Sequence, residues 1–204
     1  MRPLMDRTRV HTVGRAIALA VSFAALLAAN PAQARRVWPV VGASGDASVT
    51  VQCPAGEEAV GFSGRTGLWI DQIQLLCARE QPGGTMSDPH PGSDLLGGFG
   101  GGPQRTVCDR NSRLYAIGMT YTANRRQVVA IYMDCAAVIG GRASNLTFGG
   151  NYGGSRSDAN ACAQTATCGV NTADVRQFCP QERFVGFTAH VGRDLNALGF
   201  ICDH

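Results

Sequence analysis

The sequence lacks the residues and motifs on which several common protein functions depend. It has no lysine and no C-x-x-C pair, and its histidines do not lie at ligand spacing from its cysteines, so a zinc site built on cysteine is not expected. The G-x-S-x-G elbow, the H-E-x-x-H pair and the P-loop are also missing. We therefore expect no metal, no cofactor and no enzymatic activity. A hydrolase whose two carboxylates meet only on folding stays open, because such a pair has no sequence signature.

Residues 1–34 have the composition of a secretory signal peptide. A basic segment with four arginines precedes the apolar run Ala16 to Ala29, which is followed by Asn30-Pro31-Ala32-Gln33-Ala34. The run is shorter than the roughly 20 residues that a membrane-spanning helix needs. The small residues Ala32 and Ala34 form the A-x-A pattern that is typical of a signal-peptide cleavage site. We expect cleavage after Ala34, which leaves a secreted or periplasmic protein without a membrane span.

The charge of the remaining chain is balanced. The predicted signal peptide contains four of the 18 basic residues and one of the 15 acidic residues, which leaves 14 of each. Nucleic acids and anionic membranes bind proteins that present a concentrated basic excess. The balance argues against either as the main partner.

All eight cysteines follow the predicted signal peptide. An even number of cysteines in an exported chain predicts disulfides, because the compartment beyond the membrane is oxidising. The cysteines are Cys53, Cys77, Cys108, Cys135, Cys162, Cys168, Cys179 and Cys202.

One pattern occurs three times between these cysteines. An opening cysteine is followed by an apolar-Gly-apolar triplet and then by alternating apolar residues that end on a closing cysteine, which is the period of a half-buried strand. The triplets are Val60-Gly61-Phe62, Ile117-Gly118-Met119 and Val185-Gly186-Phe187, and the closing segments are Ile73-x-Leu75-x-Cys77, Ile131-x-Met133-x-Cys135 and Leu198-x-Phe200-x-Cys202. We predict one β domain, 35–204, with units at about 35–95, 96–147 and 148–204.

Turn-forming residues separate the two strands of each unit, which predicts three hairpins. In the first unit, Cys53 and Cys77 are equidistant from Arg65, so a turn at Gly64 to Gly67 places them opposite each other. The predicted disulfides are Cys53–Cys77, Cys108–Cys135 and Cys179–Cys202, with Cys162–Cys168 as a short-loop bridge.

The three Cys, G-F, Cys units resemble the vitelline membrane outer layer proteins, whose fold is a β-prism of three sheets around a pseudo-threefold axis. The segment Ser63 to Ile73 and the glycine-rich stretches resemble jacalin-related lectins, which share that architecture. Their sugar sites use a G-x-x-x-D loop, and Gly67-Leu68-Trp69-Ile70-Asp71 matches it. The resemblance implies an all-β, three-fold pseudo-symmetric β-prism built from three disulfide-linked antiparallel strand units.

The same resemblance implies a site for a neutral glycan. Asp71 would accept hydrogen bonds from two sugar hydroxyls, the N–H groups of Leu68 to Ile70 would donate, and the Trp69 ring would pack on the pyranose face. The glycine-rich stretch Gly97 to Gly102 would complete the site. The third unit offers a secondary site at Gly192, Asp194 and Asn196, with an amide in place of the carboxylate, and the second has Val129 where Asp71 aligns.

The predicted function is therefore a secreted, non-enzymatic, lectin-like protein that binds carbohydrate. The alternative is a disulfide-stabilised structural or interaction protein of the cell envelope or extracellular matrix with no small ligand. In that case Asp71 braces the hairpin and Trp69 packs between sheets.

Overall fold

The computed structural model describes residues 35–122, 127–139, 142–153, 172–179 and 183–203, and these residues form strands, turns and loops without a helix. No helix in the described ranges is thus long and apolar enough to cross a membrane. The strands are Arg36–Val37 (β1), Val41–Gly42 (β2), Ala47–Gln52 (β3), Glu58–Thr66 (β4), Ile70–Ala78 (β5), Glu80–Gln81 (β6), Thr85–Met86 (β7), His90–Pro91 (β8), Leu96–Gly97 (β9), Gly102–Val107 (β10), Ser112–Thr122 (β11), Val128–Ile139 (β12), Arg142–Gly153 (β13), Thr172–Phe178 (β14), Arg183–Val191 (β15) and Leu195–Asp203 (β16).

Three antiparallel sheets are each built around one hairpin. Sheet I has the order β10-β4-β5-β8 with β9 also on β5, sheet II has the order β13-β12-β11-β14, and sheet III has the order β1-β16-β15-β3 with β2 also on β16. The strands β6 and β7 form a separate small ribbon. The architecture is a three-fold pseudo-symmetric β-prism, as predicted.

The strand before each opening cysteine does not pair with the hairpin that follows that cysteine. It pairs with the hairpin of another unit. The strand β10 precedes Cys108 but pairs with β4, β14 precedes Cys179 but pairs with β11, and β3 precedes Cys53 but pairs with β15. Each sheet therefore combines strands from two of the predicted units. This exchange links the three sheets in a closed ring and supplies a partner for the first strand of every hairpin, which would otherwise be an open edge.

The core lies where the inner faces of the three sheets meet. Phe62 from sheet I lies 6.0 Å from Tyr152 of sheet II and 6.0 Å from Phe200 of sheet III, measured between ring centroids. Phe187 of sheet III packs 6.3 Å from the same ring. All four rings are buried, and burial of one such side chain stabilises the fold by about 1.5–3 kcal/mol. These contacts orient one face of each sheet toward the pseudo-threefold axis of the prism.

The predicted disulfide pairs are confirmed for Cys53–Cys77, Cys108–Cys135 and Cys179–Cys202, with Cα atoms 5.6, 5.7 and 5.8 Å apart. The fourth predicted pair, Cys162–Cys168, and the predicted signal peptide lie outside the described residues.

The predicted position of the first turn is wrong. The strand β4 continues through Gly64 to Thr66, and the turn lies at residues 67–69. Ala59, and not Cys53, faces Cys77 in the hairpin register. Cys53 lies before β4 and outside the paired residues of the hairpin, so the midpoint between the cysteines does not mark the turn. The two register shifts, between Ala59 and Gly61 and between Arg65 and Thr66, offset each other.

Candidate functional site

The Gly67–Asp71 segment forms the turn between β4 and β5. The N–H of Gly67 donates a hydrogen bond to the carbonyl oxygen of Trp69 at 2.8 Å, which closes the turn. Leu68 at its tip is 51% exposed, whereas the side chain of Ile70 is fully buried in the core. The register of the hairpin shifts at Asp71, which has no residue opposite it in β4, so Ile70 and Ile73 both face the core and Asp71 is the bulged residue between them.

The glycine-rich segment 97–102 lies directly against Asp71. Gly97 is opposite Gln72 in the sheet register, and the N–H of Gly98 donates to the carbonyl oxygen of Asp71 at 2.8 Å. A Cβ on Gly100 would lie 2.1 Å from Oδ1 of Asp71, and one on Gly101 would lie 2.7 Å from Oδ2. Real side chains do not approach this closely, so only glycine lets the loop contact the carboxylate.

Arg65 holds this glycine-rich segment in place. Its Nε donates to the carbonyl oxygen of Gly100 at 2.8 Å, and its Nη2 donates to that of Gly101 at 2.6 Å. Two hydrogen bonds from one planar guanidinium define both the position and the orientation of the loop. The backbone around Asp71 is therefore preorganised by its own hairpin.

The corresponding turn of sheet III adjoins the same loop. The N–H of Gly192 donates to the carbonyl oxygen of Asp194 at 3.1 Å, which repeats the hydrogen bond between Gly67 and Trp69. The N–H of Gly98 also approaches the carbonyl oxygen of Arg193, at 3.1 Å. Two turns that lie far apart in the sequence thus meet across the glycine-rich segment.

Of the secondary residues, Gly192 and Asp194 belong to this adjoining turn, and Asn196 lies on its far side. A Cβ on Gly45 would lie 3.0 Å from Oδ1 of Asn196, so the amide faces the loop before β3. Asp194 accepts a hydrogen bond at 2.9 Å from Nε2 of Gln127, a buried residue that precedes β12. All three sheets therefore contribute to this end of the prism.

The electrostatic surroundings of Asp71 raise the pKa of its carboxyl group above the ordinary value. Burial is the main cause, and the negative charge of Asp194 adds to it. Arg65 and Arg193 oppose the shift, as does a hydrogen bond from the backbone. Asp71 and Asp194 thus form an interacting pair of acids with two arginines beside it.

The aromatic side chain most exposed at this site is Phe99, not Trp69. Phe99 lies between Gly98 and Gly100, both of which contact Asp71, and it is 87% exposed, whereas Trp69 is partly buried. Sequence reasoning missed Phe99, although a single aromatic residue within a run of glycines is a visible signal.

The second hairpin has no equivalent carboxylate. Val129, which aligns with Asp71, is fully buried, and residues 123–126 lie outside the described ranges. Within the described part of the chain, no group of three or more His, Cys, Asp or Glu residues could hold a metal ion.

The fold is similar to solved structures of jacalin-related lectins. Single-chain recombinant jacalin matches with a TM-score of 0.52 and 14% identity over 84% of this chain and 95% of the lectin. Malaysian banana lectin matches with a TM-score of 0.50 and 13% identity over 83% and 97% of the two chains. A mannose-specific jacalin-related lectin from Morus nigra, solved with mannose, matches with a TM-score of 0.50 and 13% identity over 84% and 95%.

At these identities the similarity establishes the β-prism fold alone. No protein-family model matches the chain, and no curated protein matches its sequence. The resemblance of the three units to the vitelline membrane outer layer proteins stays a prediction.

Proposed function

We propose that this protein is a non-enzymatic, lectin-like protein that binds a neutral glycan at the Gly67–Asp71 turn. The observation that carries the proposal is the contact between the Asp71 carboxylate and the glycine backbone of residues 100 and 101. The resemblance to jacalin-related lectins implies that such a glycine-rich segment completes the G-x-x-x-D site. The fold, which is that of the lectins from banana and Morus nigra, supports the proposal.

The chemistry of the turn suits a pyranose sugar. The two carboxylate oxygens of Asp71 accept hydrogen bonds from vicinal hydroxyls, and hydrogen bonds to a charged acceptor are the strong ones. The backbone N–H of Leu68, at the exposed tip, donates to a ring or hydroxyl oxygen. The exposed ring of Phe99 covers the C–H face of the sugar, with Trp69 as the supporting aromatic residue behind the turn.

The turn of sheet III contributes to the same site. Gly192 and Asp194 lie across the glycine-rich segment from Asp71, so a second sugar unit of a glycan contacts them. Asn196 faces Gly45 and supplies an amide in place of a carboxylate, which makes it a weaker acceptor for hydroxyl groups. We therefore assign primary binding to Asp71.

The protein functions in an oxidising compartment, either outside the cell or in the periplasm. Three disulfides join the hairpins, and such bonds persist where thiols are not kept reduced. Residues 1–34 then act as the export signal and are removed after Ala34.

The test is a glycan array probed with the oxidised protein, followed by titration calorimetry with the glycans that bind. Binding that is lost in Asp71→Ala and kept in Asp109→Ala, an exposed acid that follows Cys108, supports the proposal. A folded protein that binds no glycan contradicts it and favours the structural alternative.

The interacting carboxylates of Asp71 and Asp194 require one further measurement. A pair of acids is the minimum that hydrolysis of a glycosidic bond needs. Bound oligosaccharides are therefore recovered after prolonged incubation and their chain length is measured. We expect them intact, and shortened products that disappear in Asp71→Ala would identify a hydrolase.

A further inference from the structure

A groove with a cavity volume of about 420 Å³ lies beside this site on sheet I. This volume is in the range of pockets that hold small ligands. Its lining comes from β4, β5 and β10 and from the chain before β9, and it includes Arg65, Gln72, Leu95, Pro103, Gln104 and Arg105.

The strand register places the polar and apolar residues of the groove on one face. Arg65 is opposite both Gln72 and Pro103, and residues directly opposite each other in neighbouring strands share a face. Arg105 is two residues from Pro103 on the same strand and therefore lies on that face too.

The lining of the groove is positively charged. Among the described residues that line it are two arginines and neither Asp nor Glu, in a chain whose acidic and basic residues otherwise nearly balance. Arg105 is exposed, and among the described residues its Nη2 donates one long hydrogen bond, of 3.4 Å, to the carbonyl oxygen of Pro89. This guanidinium has donors available for an incoming anion.

Arg65 connects the groove to the Asp71 turn. The guanidinium that lines the groove is the one that donates to Gly100 and Gly101. Gln72, on the groove side, follows Asp71 directly in β5. A glycan bound at Asp71 can therefore extend into the groove without crossing another strand.

We propose that the groove binds an anionic sugar unit of the same glycan, with its carboxylate or sulfate paired to Arg105. This inference rests on the proposed function and adds the substrate class, a glycan with a neutral unit at Asp71 and a negatively charged unit beside it. The planar guanidinium binds either oxyanion through two parallel hydrogen bonds. The half-exposed side chain of Leu95, together with Pro103, covers the apolar face of the sugar ring.

The test measures the binding of three trisaccharides by calorimetry. They are mannotriose, mannotriose in which one terminal mannose is replaced by mannuronate, and mannotriose that carries one sulfate group. We expect the better anionic ligand to bind about ten-fold more tightly than mannotriose, which corresponds to about 1.4 kcal/mol. The preferred anion identifies the source of the charge. Raising the salt concentration should reduce the preference, because salt screens an exposed ion pair.

Arg105→Gln should remove this preference and leave the affinity for mannotriose unchanged. The matched control is Arg36→Gln, an exposed arginine on β1 of sheet III, which should change neither affinity. Equal affinity of the wild-type protein for all three ligands overturns the inference, as does an unchanged preference in Arg105→Gln.

The two proposals fail in different ways. If mannotriose binds and Asp71→Ala abolishes that binding, but the anionic ligands gain nothing, the neutral site stands and the groove proposal is wrong. If anionic ligands bind equally well to Asp71→Ala, the groove is not an extension of the Asp71 site. If none of the ligands binds and the folded protein also binds nothing on the glycan array, both proposals are wrong.

Discussion

Gly100 contacts the carboxylate of Asp71 so closely that a Cβ at this position would lie 2.1 Å from Oδ1. The two residues belong to different segments of sheet I, and Arg65 holds the glycine through its carbonyl oxygen. The position of the Asp71 carboxylate therefore depends on a glycine 29 residues later in the sequence.

Gly100→Ala should reduce glycan affinity by about ten-fold or more, equivalent to about 1.4 kcal/mol. The added methyl group must displace either the loop or the carboxylate. Gly102→Ala is the matched control, because a Cβ on Gly102 has no neighbour within 4 Å. Calorimetry measures the affinity and thermal unfolding reports the fold. Equal affinities of the two variants would show that the contact with Asp71 does not shape the site.

Glycan binding should weaken in acid at a higher pH than an ordinary aspartate would predict. The carboxylate is the acceptor in its ionised form, and burial together with Asp194 raises the pKa of Asp71 above 3.8. Affinity is therefore present above this raised pKa and is lost as the pH falls through it. Calorimetry from neutral pH downward measures the midpoint.

Asp194→Asn should move this midpoint to lower pH. The substitution removes the negative charge that raises the pKa of Asp71 and keeps a side chain of similar size. The direction is diagnostic, since a structural disturbance would weaken binding at every pH. A midpoint that stays where it was would mean that Asp194 does not act on Asp71 through its charge.

Phe99→Ala should lower glycan affinity without changing the stability of the fold. The ring is 87% exposed, so its removal leaves no cavity, and loss of an aromatic contact with a sugar costs about 1 kcal/mol. Val37→Ala is the control, because Val37 is a 57% exposed apolar residue on β1 of sheet III. If both variants bind as the wild type does, Phe99 takes no part in binding.

A group of three charged residues forms where the hairpins begin. Glu58, Arg113 and Arg183 each lie within the first two residues of the first strand of a hairpin, and one oxygen of Glu58 is 3.8 Å from both guanidinium groups. Glu58 is 1% exposed, and burial raises the pKa of its carboxyl group while the two arginines lower it. The group joins all three sheets.

Arg113→Met should destabilise the protein by about 3 kcal/mol at neutral pH, because it leaves a buried carboxylate short of a partner. The loss of Arg113 raises the pKa of Glu58 further. A carboxyl group whose pKa is higher in the folded than in the unfolded state contributes most stability at a pH below its pKa in the unfolded state. That contribution is lost as the pH rises through its pKa in the folded state. The loss of stability caused by Arg113→Met should therefore be smaller in acid.

Chemical denaturation at several pH values measures this penalty. Adding Glu58→Gln to the Arg113→Met variant should recover part of the loss at neutral pH. Arg183→Met is the comparison, since the Arg183 side chain is 35% exposed and its loss should cost less. A penalty that is independent of pH would contradict this account of Glu58.

Local patterns predicted the strands and the disulfides. The alternation of Ile73, Leu75 and Cys77 identified the inner face of β5, and all three side chains are buried. The pairing of Cys53 with Cys77 followed from their place on either side of one hairpin. Such features depend on residues close in sequence, which is why they are visible without a structure.

The turn and the sheets were harder to predict. Cys53 lies five residues before β4, whereas Cys77 lies within β5, so the turn at residues 67–69 lies beyond the midpoint of the cysteines. The exchange of β3, β10 and β14 between sheets leaves no local trace, because alternation records which side of a strand is buried and not which strand lies beside it.

The sequence by itself determined the three hairpins and their disulfides, since each depends on contacts within about 30 residues. The resemblance predicted that Gly97 to Gly102 approaches Asp71, whereas only the tertiary structure decided that the Asp194 turn adjoins the same segment and that Phe99 is more exposed than Trp69. The physical reason is the closure of the three sheets into a ring. Closure brings the ends of separate hairpins together, and the resulting contacts depend on the register of every strand between them.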